Sequence, residues 1–180
     1  MLGVVTGDRC ATCRRRGPLD GGRCGRCWAT SAGGDEAARA AAARDPGVPA
    51  AVVARLAADR SPLVRAEVAA RADLPEPVIA RLADPRVEHD ATVLRRMAGH
   101  PRLGGGRAEA LAATGDVVVL RRLAANPGTP PATLAVLATH ADPATRNRAR
   151  GRLAGDRLTG AARARLPVGL RRLLGAPRPP

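Results

Sequence analysis

Ala43–Pro49 reads A-R-D-P-G-V-P, and Ala124–Pro130 reads A-A-N-P-G-T-P. The likeness extends beyond these seven residues. Shifting the chain by 81 positions lays Leu56 on Leu137, Pro62 on Pro143 and Arg65 on Arg146 without a gap. Self-similarity held over roughly thirty residues is the mark of tandem supersecondary units. The stretch is a corner: a helix ends before Pro46, and Pro49 starts the next, where its missing N–H has no partner in any case.

Working outward, the first half of the unit recurs as P-A-A-V-V-A-R-L-A at Pro49–Ala57, P-E-P-V-I-A-R-L-A at Pro75–Ala83 and P-P-A-T-L-A-V-L-A at Pro130–Ala138. A degenerate copy replaces the proline with Gly104-Gly-Gly106 and keeps only Leu111 in register. The second half recurs as V-R-A-E-V-A-A-R at Val64–Arg71, V-L-R-R-M-A-G-H at Val93–His100 and V-L-R-R-L-A-A-N at Val119–Asn126. A further copy from Thr145, T-R-N-R-A-R-G-R, keeps the spacing without the apolar residues. Leu56, Leu82, Leu111 and Leu137 stand 26, 29 and 26 residues apart. Apolar residues three and four apart bury one helical stripe, so each unit predicts two short helices joined by turns such as Asp59–Pro62. No unit buries its stripe alone, and an all-α solenoid over residues 36–154 is expected, right-handed or similar. Thr30–Gly34 reads as a linker, with residues 31–35 separating the array from the N-terminus, and Asp35 as the N-cap of a helix over Glu36–Arg44.

The chain has 180 residues, 30 of them arginine, with no lysine, no Phe, no Tyr and one Trp. Its core must therefore come from Leu, Val and Ala, which suit closely stacked helices. A net charge of +14 points toward nucleic acid or another polyanion. Codon bias in a GC-rich genome produces the same Arg, Ala, Gly and Pro excess and halves the weight of that signal. No apolar run approaches the roughly 20 residues needed to span a bilayer, and Met1–Arg9 lacks the pattern of a secretory signal. A cytoplasmic protein with reduced thiols is expected.

All four cysteines, Cys10, Cys13, Cys24 and Cys27, fall in two C-x2-C pairs ten residues apart. Each pair can bite one ion, and two complete a tetrahedral thiolate site, which suits Zn²⁺. Residues 1–30 hold too little apolar content to fold by burial, so the metal would supply the folding free energy. Disulfides conflict with a reducing compartment, thioredoxin-type redox chemistry lacks its strand-to-helix setting, and four cysteines leave no open position for a catalytic zinc. An iron–sulfur cluster uses the same ligand number. Trp28 is placed to pack over the site.

The recurring A-x-N/D-P-x-x-P…L-x-x-L-A…D…V-R-x-x-V-A pattern resembles the leucine-rich repeat variant family across residues 36–153. Part of it, D-x-x-P-x-V-R, is also HEAT-like. The resemblance implies short helices alternating between α and 3₁₀ type in a superhelix. It also implies an N-terminal cysteine cluster that in some members binds [4Fe–4S]. The spacing of the two pairs keeps zinc first and the cluster second.

With Val93, Leu94, Met97 and Val119, Leu120, Leu123 buried, Arg95, Arg96, Arg121 and Arg122 lie on the opposite face. Stacking aligns them near Arg65, Arg146, Arg148 and Arg150. They form either a ridge for a phosphate backbone or inter-repeat ladders with Asp59, Glu67 and Asp90. The array has no aromatic to stack on bases, which leaves only duplex backbone contact for nucleic acid. His89, His100 and His140 occupy unlike positions without a nucleophile in register, so enzymatic activity is not expected. Leu166, Leu170, Leu173 and Leu174 among Arg163, Arg165, Arg171 and Arg172 give residues 155–180 a basic amphipathic character. That suits a cap on the last repeat before a Pro-rich tail, rather than membrane attachment. The expected function is a non-enzymatic scaffold for a macromolecular partner, foremost a protein. The alternatives are a duplex binder using the ridge with Arg14, Arg15 and Arg16, and an iron–sulfur redox or sensor protein.

Overall fold

The computed structural model describes Leu19–Asp20, Arg23–Cys24 and residues 33–164, with side chains over 33–155. Among these residues the chain is all-helical apart from one short pairing. Strands β1 (Leu19–Asp20) and β2 (Arg23–Cys24) run antiparallel, with Leu19 opposite Cys24. Nine helices follow: α1 (Glu36–Arg44), α2 (Ala50–Leu56), α3 (Pro62–Ala69), α4 (Glu76–Leu82), α5 (Ala91–Ala98), α6 (Gly105–Ala112), α7 (Val117–Ala125), α8 (Pro131–Leu137) and α9 (Pro143–Ala164).

Local chemistry sets the ends of these helices. Pro49, Pro75 and Pro130 are the N-caps of α2, α4 and α8, as the repeated corner predicts. In α6 the cap is Gly104, held at φ 73°, a conformation in which a side chain is strained. The carboxylates of Asp35, Asp90 and Asp116 accept backbone N–H groups at the starts of α1, α5 and α7, satisfying donors that a helix leaves open. Every described helix is α, so the α/3₁₀ alternation implied by the family resemblance is absent among the described residues.

The odd-numbered helices pack in succession, α1 on α3, α3 on α5, α5 on α7 and α7 on α9. Even-numbered helices also touch, α2 with α4 and α6 with α8. One apolar core runs from Ala40 to Ala149 between the two series. The marker leucines Leu56, Leu82, Leu111 and Leu137 are buried, as are Val93, Leu94, Met97, Val119, Leu120 and Leu123. A second buried column precedes each corner: Val48, Leu74, Leu103 and Thr129.

Helix α1, expected over Glu36–Arg44 from its Asp35 cap, packs on α3 as α3 packs on α5 and buries Ala40, Ala42 and Ala43. Alanines allow close helix approach but carry no periodic signature of their own. Helix α9 continues without a break through Ala164, past residue 154 where the array was expected to end. Its degenerate start is buried all the same, at Thr145 and Ala149. No helix among the described residues is long and apolar enough to cross a membrane.

Candidate functional site

The arginines of the odd-numbered helices form the most regular polar feature of the array. Arg39 of α1 binds Asp59 through two bonds of 2.7 and 3.1 Å. Arg65 of α3 binds Glu88 at 2.7 and 2.9 Å. Arg95 of α5 binds Asp116 at 3.1 and 2.7 Å, and Arg121 of α7 binds Asp142 at 3.1 and 2.6 Å. Each pair joins one odd helix to the turn that opens the next. Two-pronged pairing of this kind exploits the match between guanidinium and carboxylate.

The ladder changes position halfway. Arg39 and Arg65 pair with acids two residues before the N-caps Ser61 and Asp90. Arg95 and Arg121 sit one residue further along their helices. They pair instead with the N-cap Asp116 and with Asp142, which also accepts from the Thr145 N–H. Where the arginine is early it also closes its own turn. Arg39 Nη1 donates to the Gly34 carbonyl, Arg65 Nη1 to Asp59 and Arg60, and Arg146 Nη1 to His140 and Ala141. Burial alone would raise Glu88 and Asp59, but their arginines and nearby N–H groups outweigh it and hold both carboxyls below the ordinary range. Arg95 lowers Asp116, and Arg121 with Thr145 lowers Asp142.

A second row lies at the ends of α3, α5, α7 and along α9. Arg71 Nη1 donates to the carbonyls of Ala43 and Asp45. Asn126 donates to those of Ala98 and His100, and Arg152 to those of Asn126 and Pro127. His100 occupies the matching place and is 3% exposed. Its Nδ1 accepts from the Arg102 N–H, as Asn126 Oδ1 accepts from Gly128, so Nε2 carries the proton. That N–H approaches the Arg71 carbonyl without reaching hydrogen-bond geometry. Burial pushes the imidazole below its ordinary value.

The four ridge arginines therefore divide into two groups. Arg95 and Arg121 are ladder members. Arg96 Nη1 donates to the Ala66 carbonyl at 2.6 Å and lies 3.5 Å from Glu67, and Arg122 Nη1 donates to the Arg95 carbonyl at 3.2 Å. Of the three acids expected to act as ladder partners, Asp59 holds Arg39, Glu67 serves Arg44 and Arg96, and Asp90 caps α5 instead. Glu88 takes the place assigned to Asp90. Sequence reasoning missed Glu88 and Arg39. The signal was present only as an arginine about 20 residues before an acid. Arg148 is exposed, and Arg150 Nε donates to the Ala138 carbonyl.

Cys10, Cys13, Cys27, Trp28 and Arg14–Arg16 lie outside the described residues, and of Cys24 only the backbone is described. Among the described residues no three His, Cys, Asp or Glu side chains gather as metal ligands. The histidines stand apart: His89 is exposed, His100 is buried, and His140 Nδ1 accepts from the Asp142 N–H. No protein-family model, curated protein or solved structure matches this chain.

Proposed function

We propose that this chain is a non-enzymatic helical-repeat scaffold that binds another protein, its helix pairs stacked as a solenoid behind a small metal-bound N-terminal module. The observation that carries this reading is the Arg–carboxylate ladder. Two of the four array arginines that would track a phosphate backbone, Arg95 and Arg121, are held by Asp116 and Asp142. Their charge is compensated within the array, and their role there is to join repeats. A stack joined repeat to repeat by paired side chains and a continuous core presents an extended, preorganised surface, which suits protein recognition.

In the N-terminal module, Cys10, Cys13, Cys24 and Cys27 would hold Zn²⁺, whose contribution is folding free energy. The antiparallel approach of Leu19–Asp20 and Arg23–Cys24 supports a chain that folds back between the two cysteine pairs. Two strands of two residues each are not stable alone, which is consistent with a metal holding them. A [4Fe–4S] cluster on the same cysteines is the competing occupant, and cytoplasmic residence belongs to the same reading.

The test is an electrophoretic shift of a mixed-sequence duplex titrated in salt. The scaffold reading expects no retained duplex at physiological ionic strength. A shift that is strong at low salt and falls steeply as salt rises is the signature of phosphate neutralisation, and it would overturn that reading in favour of the ridge.

A further inference from the structure

Arg44, Arg96 and Arg122 stand along one groove, and we propose that it receives an extended acidic segment of the partner protein. This deepens the scaffold reading and rests on it. Two adjoining depressions of about 360 and 350 Å³ share Ala70, Arg71 and Ala72 in their walls. Arg44 and Glu67 bound the first, and Arg96, His100 and Arg122 bound the second. Ala70, Ala72 and Gly99 are exposed between them and carry no side chain beyond Cβ, so another backbone can approach closely.

The charges along the groove are unbalanced. Four arginines face two carboxylates, Glu67 and Asp73. Arg71 is saturated: Asp73 takes Nε and Nη2, and the Ala43 and Asp45 carbonyls take Nη1. Arg44 and Arg96 share Glu67, and Arg122 makes no ion pair among the described residues. A guanidinium has five N–H donors. Arg96 and Arg122 each anchor Nη1 on a backbone carbonyl of the preceding repeat and keep Nε and Nη2 for a ligand. Anchored this way, they lose less freedom when a carboxylate binds. His100 also lines the second depression, and its Nε2 is the one buried side-chain nitrogen among the described residues without a hydrogen-bond partner.

The shape favours a peptide over a duplex. These cations flank recesses between neighbouring helices, within reach of a carboxylate side chain. Beside Arg96 and Arg122 on the same helices, Arg95 and Arg121 hold carboxylates of their own, so the groove cations do not merge into a continuous ridge.

The experiment titrates a fluorescein-labelled octaglutamate into the full chain by polarisation at about 150 mM salt, where distant charges are screened. R96Q/R122Q should weaken binding at least tenfold. R122Q alone, which gives up one carbonyl bond of 3.2 Å and so should fold normally, should weaken it about threefold. The charge-matched R55Q/R60Q, altering two exposed arginines elsewhere, should stay within about twofold of the parent. Equal loss in both double variants overturns the groove, because net charge alone would then account for binding. No octaglutamate binding, together with no duplex shift, removes the groove and leaves the scaffold reading standing. A duplex shift abolished by R96Q/R122Q removes both.

Discussion

Arg65 clasps Glu88 across a repeat boundary, with Nε–Oε2 at 2.7 Å and Nη2–Oε1 at 2.9 Å, while its Nη1 holds the carbonyls of Asp59 and Arg60. Glu88 in turn accepts the Asp90 N–H, so one buried carboxylate ties α3 to the cap of α5. Converting such a group to an amide leaves the arginine without its counter-charge in a site largely closed to water. Glu88→Gln should therefore destabilise the array by about 2 kcal/mol, measured by urea unfolding. Glu109→Gln, at an exposed position, should change it by no more than about 0.5 kcal/mol. Equal effects at the two sites would show that the pair is not a structural joint.

The same ladder sets an acid limit. Glu88, Asp59, Asp116 and Asp142 all ionise in the folded chain below their ordinary values. A lowered folded pKa means that the unfolded chain binds protons first. The stabilisation is complete above about pH 4–5 and is lost as pH falls through the folded values. Thermal melts should therefore fall steeply below about pH 4.5. Asp116→Asn should lower the plateau and make the acid fall shallower, and an unchanged slope would remove Asp116 from this account.

His100 adds a step at higher pH. Its folded pKa is lowered by burial, so its contribution is complete above the ordinary imidazole value of about 6.5 and declines as pH falls below it. Asn126, one repeat on, shows what fits this place: it accepts at i+2 and donates to two carbonyls. His100→Asn should abolish the step below about pH 6.5 and leave stability at pH 7 unchanged or higher, because it removes an unsatisfied buried donor. Persistence of the step in that variant would assign it to another group.

The fold was legible where side chains are large. Leu56, Leu82, Leu111 and Leu137 and the Pro49, Pro75 and Pro130 corners mark the units because branched residues and proline leave a periodic trace. Helix α1 was legible from its Asp35 cap, but its buried face was not, since Ala40, Ala42 and Ala43 pack closely while alanine occurs on every face of the helix. The arginines were legible as a row but not as two rows. The difference between Arg95, bound to a carboxylate, and Arg96, bound to a carbonyl, depends on one residue of helical rotation and on an acid 21 positions away. Glu88 was hidden for the same reason: its partner lies 23 residues earlier, and Asp90 beside it looks equally suitable.

The glycine corner before α6 gives a test of local backbone conformation. Gly104 stands at φ 73°, whereas Gly106, inside α6, meets nothing within 4 Å of an added Cβ. Gly104→Ala should cost about 1–2 kcal/mol, because an L side chain clashes in the left-handed region. Gly106→Ala should instead stabilise by about 0.5–1 kcal/mol, since alanine loses less backbone freedom in a helix. Chemical denaturation of both variants in parallel checks the pair, and the opposite ordering would place the corner elsewhere.

Metal content decides the N-terminal reading. Zinc on Cys10, Cys13, Cys24 and Cys27 predicts one Zn²⁺ per chain by elemental analysis after anaerobic purification, with a colourless solution. A brown sample with iron and acid-labile sulfide in its place assigns the cluster instead. Among the described residues the array core runs from Ala40 to Ala149 and is closed by the array's own Leu, Val and Ala side chains. Chelation should therefore leave the helical circular dichroism and its melting temperature within about 2 °C, while making residues 1–30 rapidly cleavable by protease. Replacing Cys10 and Cys13 together with serine should have the same effect, because two thiolates cannot hold a structural zinc against competition from solvent. If the doubly substituted chain still carries one zinc, the ligand set is wrong. If it loses helix along with the metal, the module and the array fold as one unit.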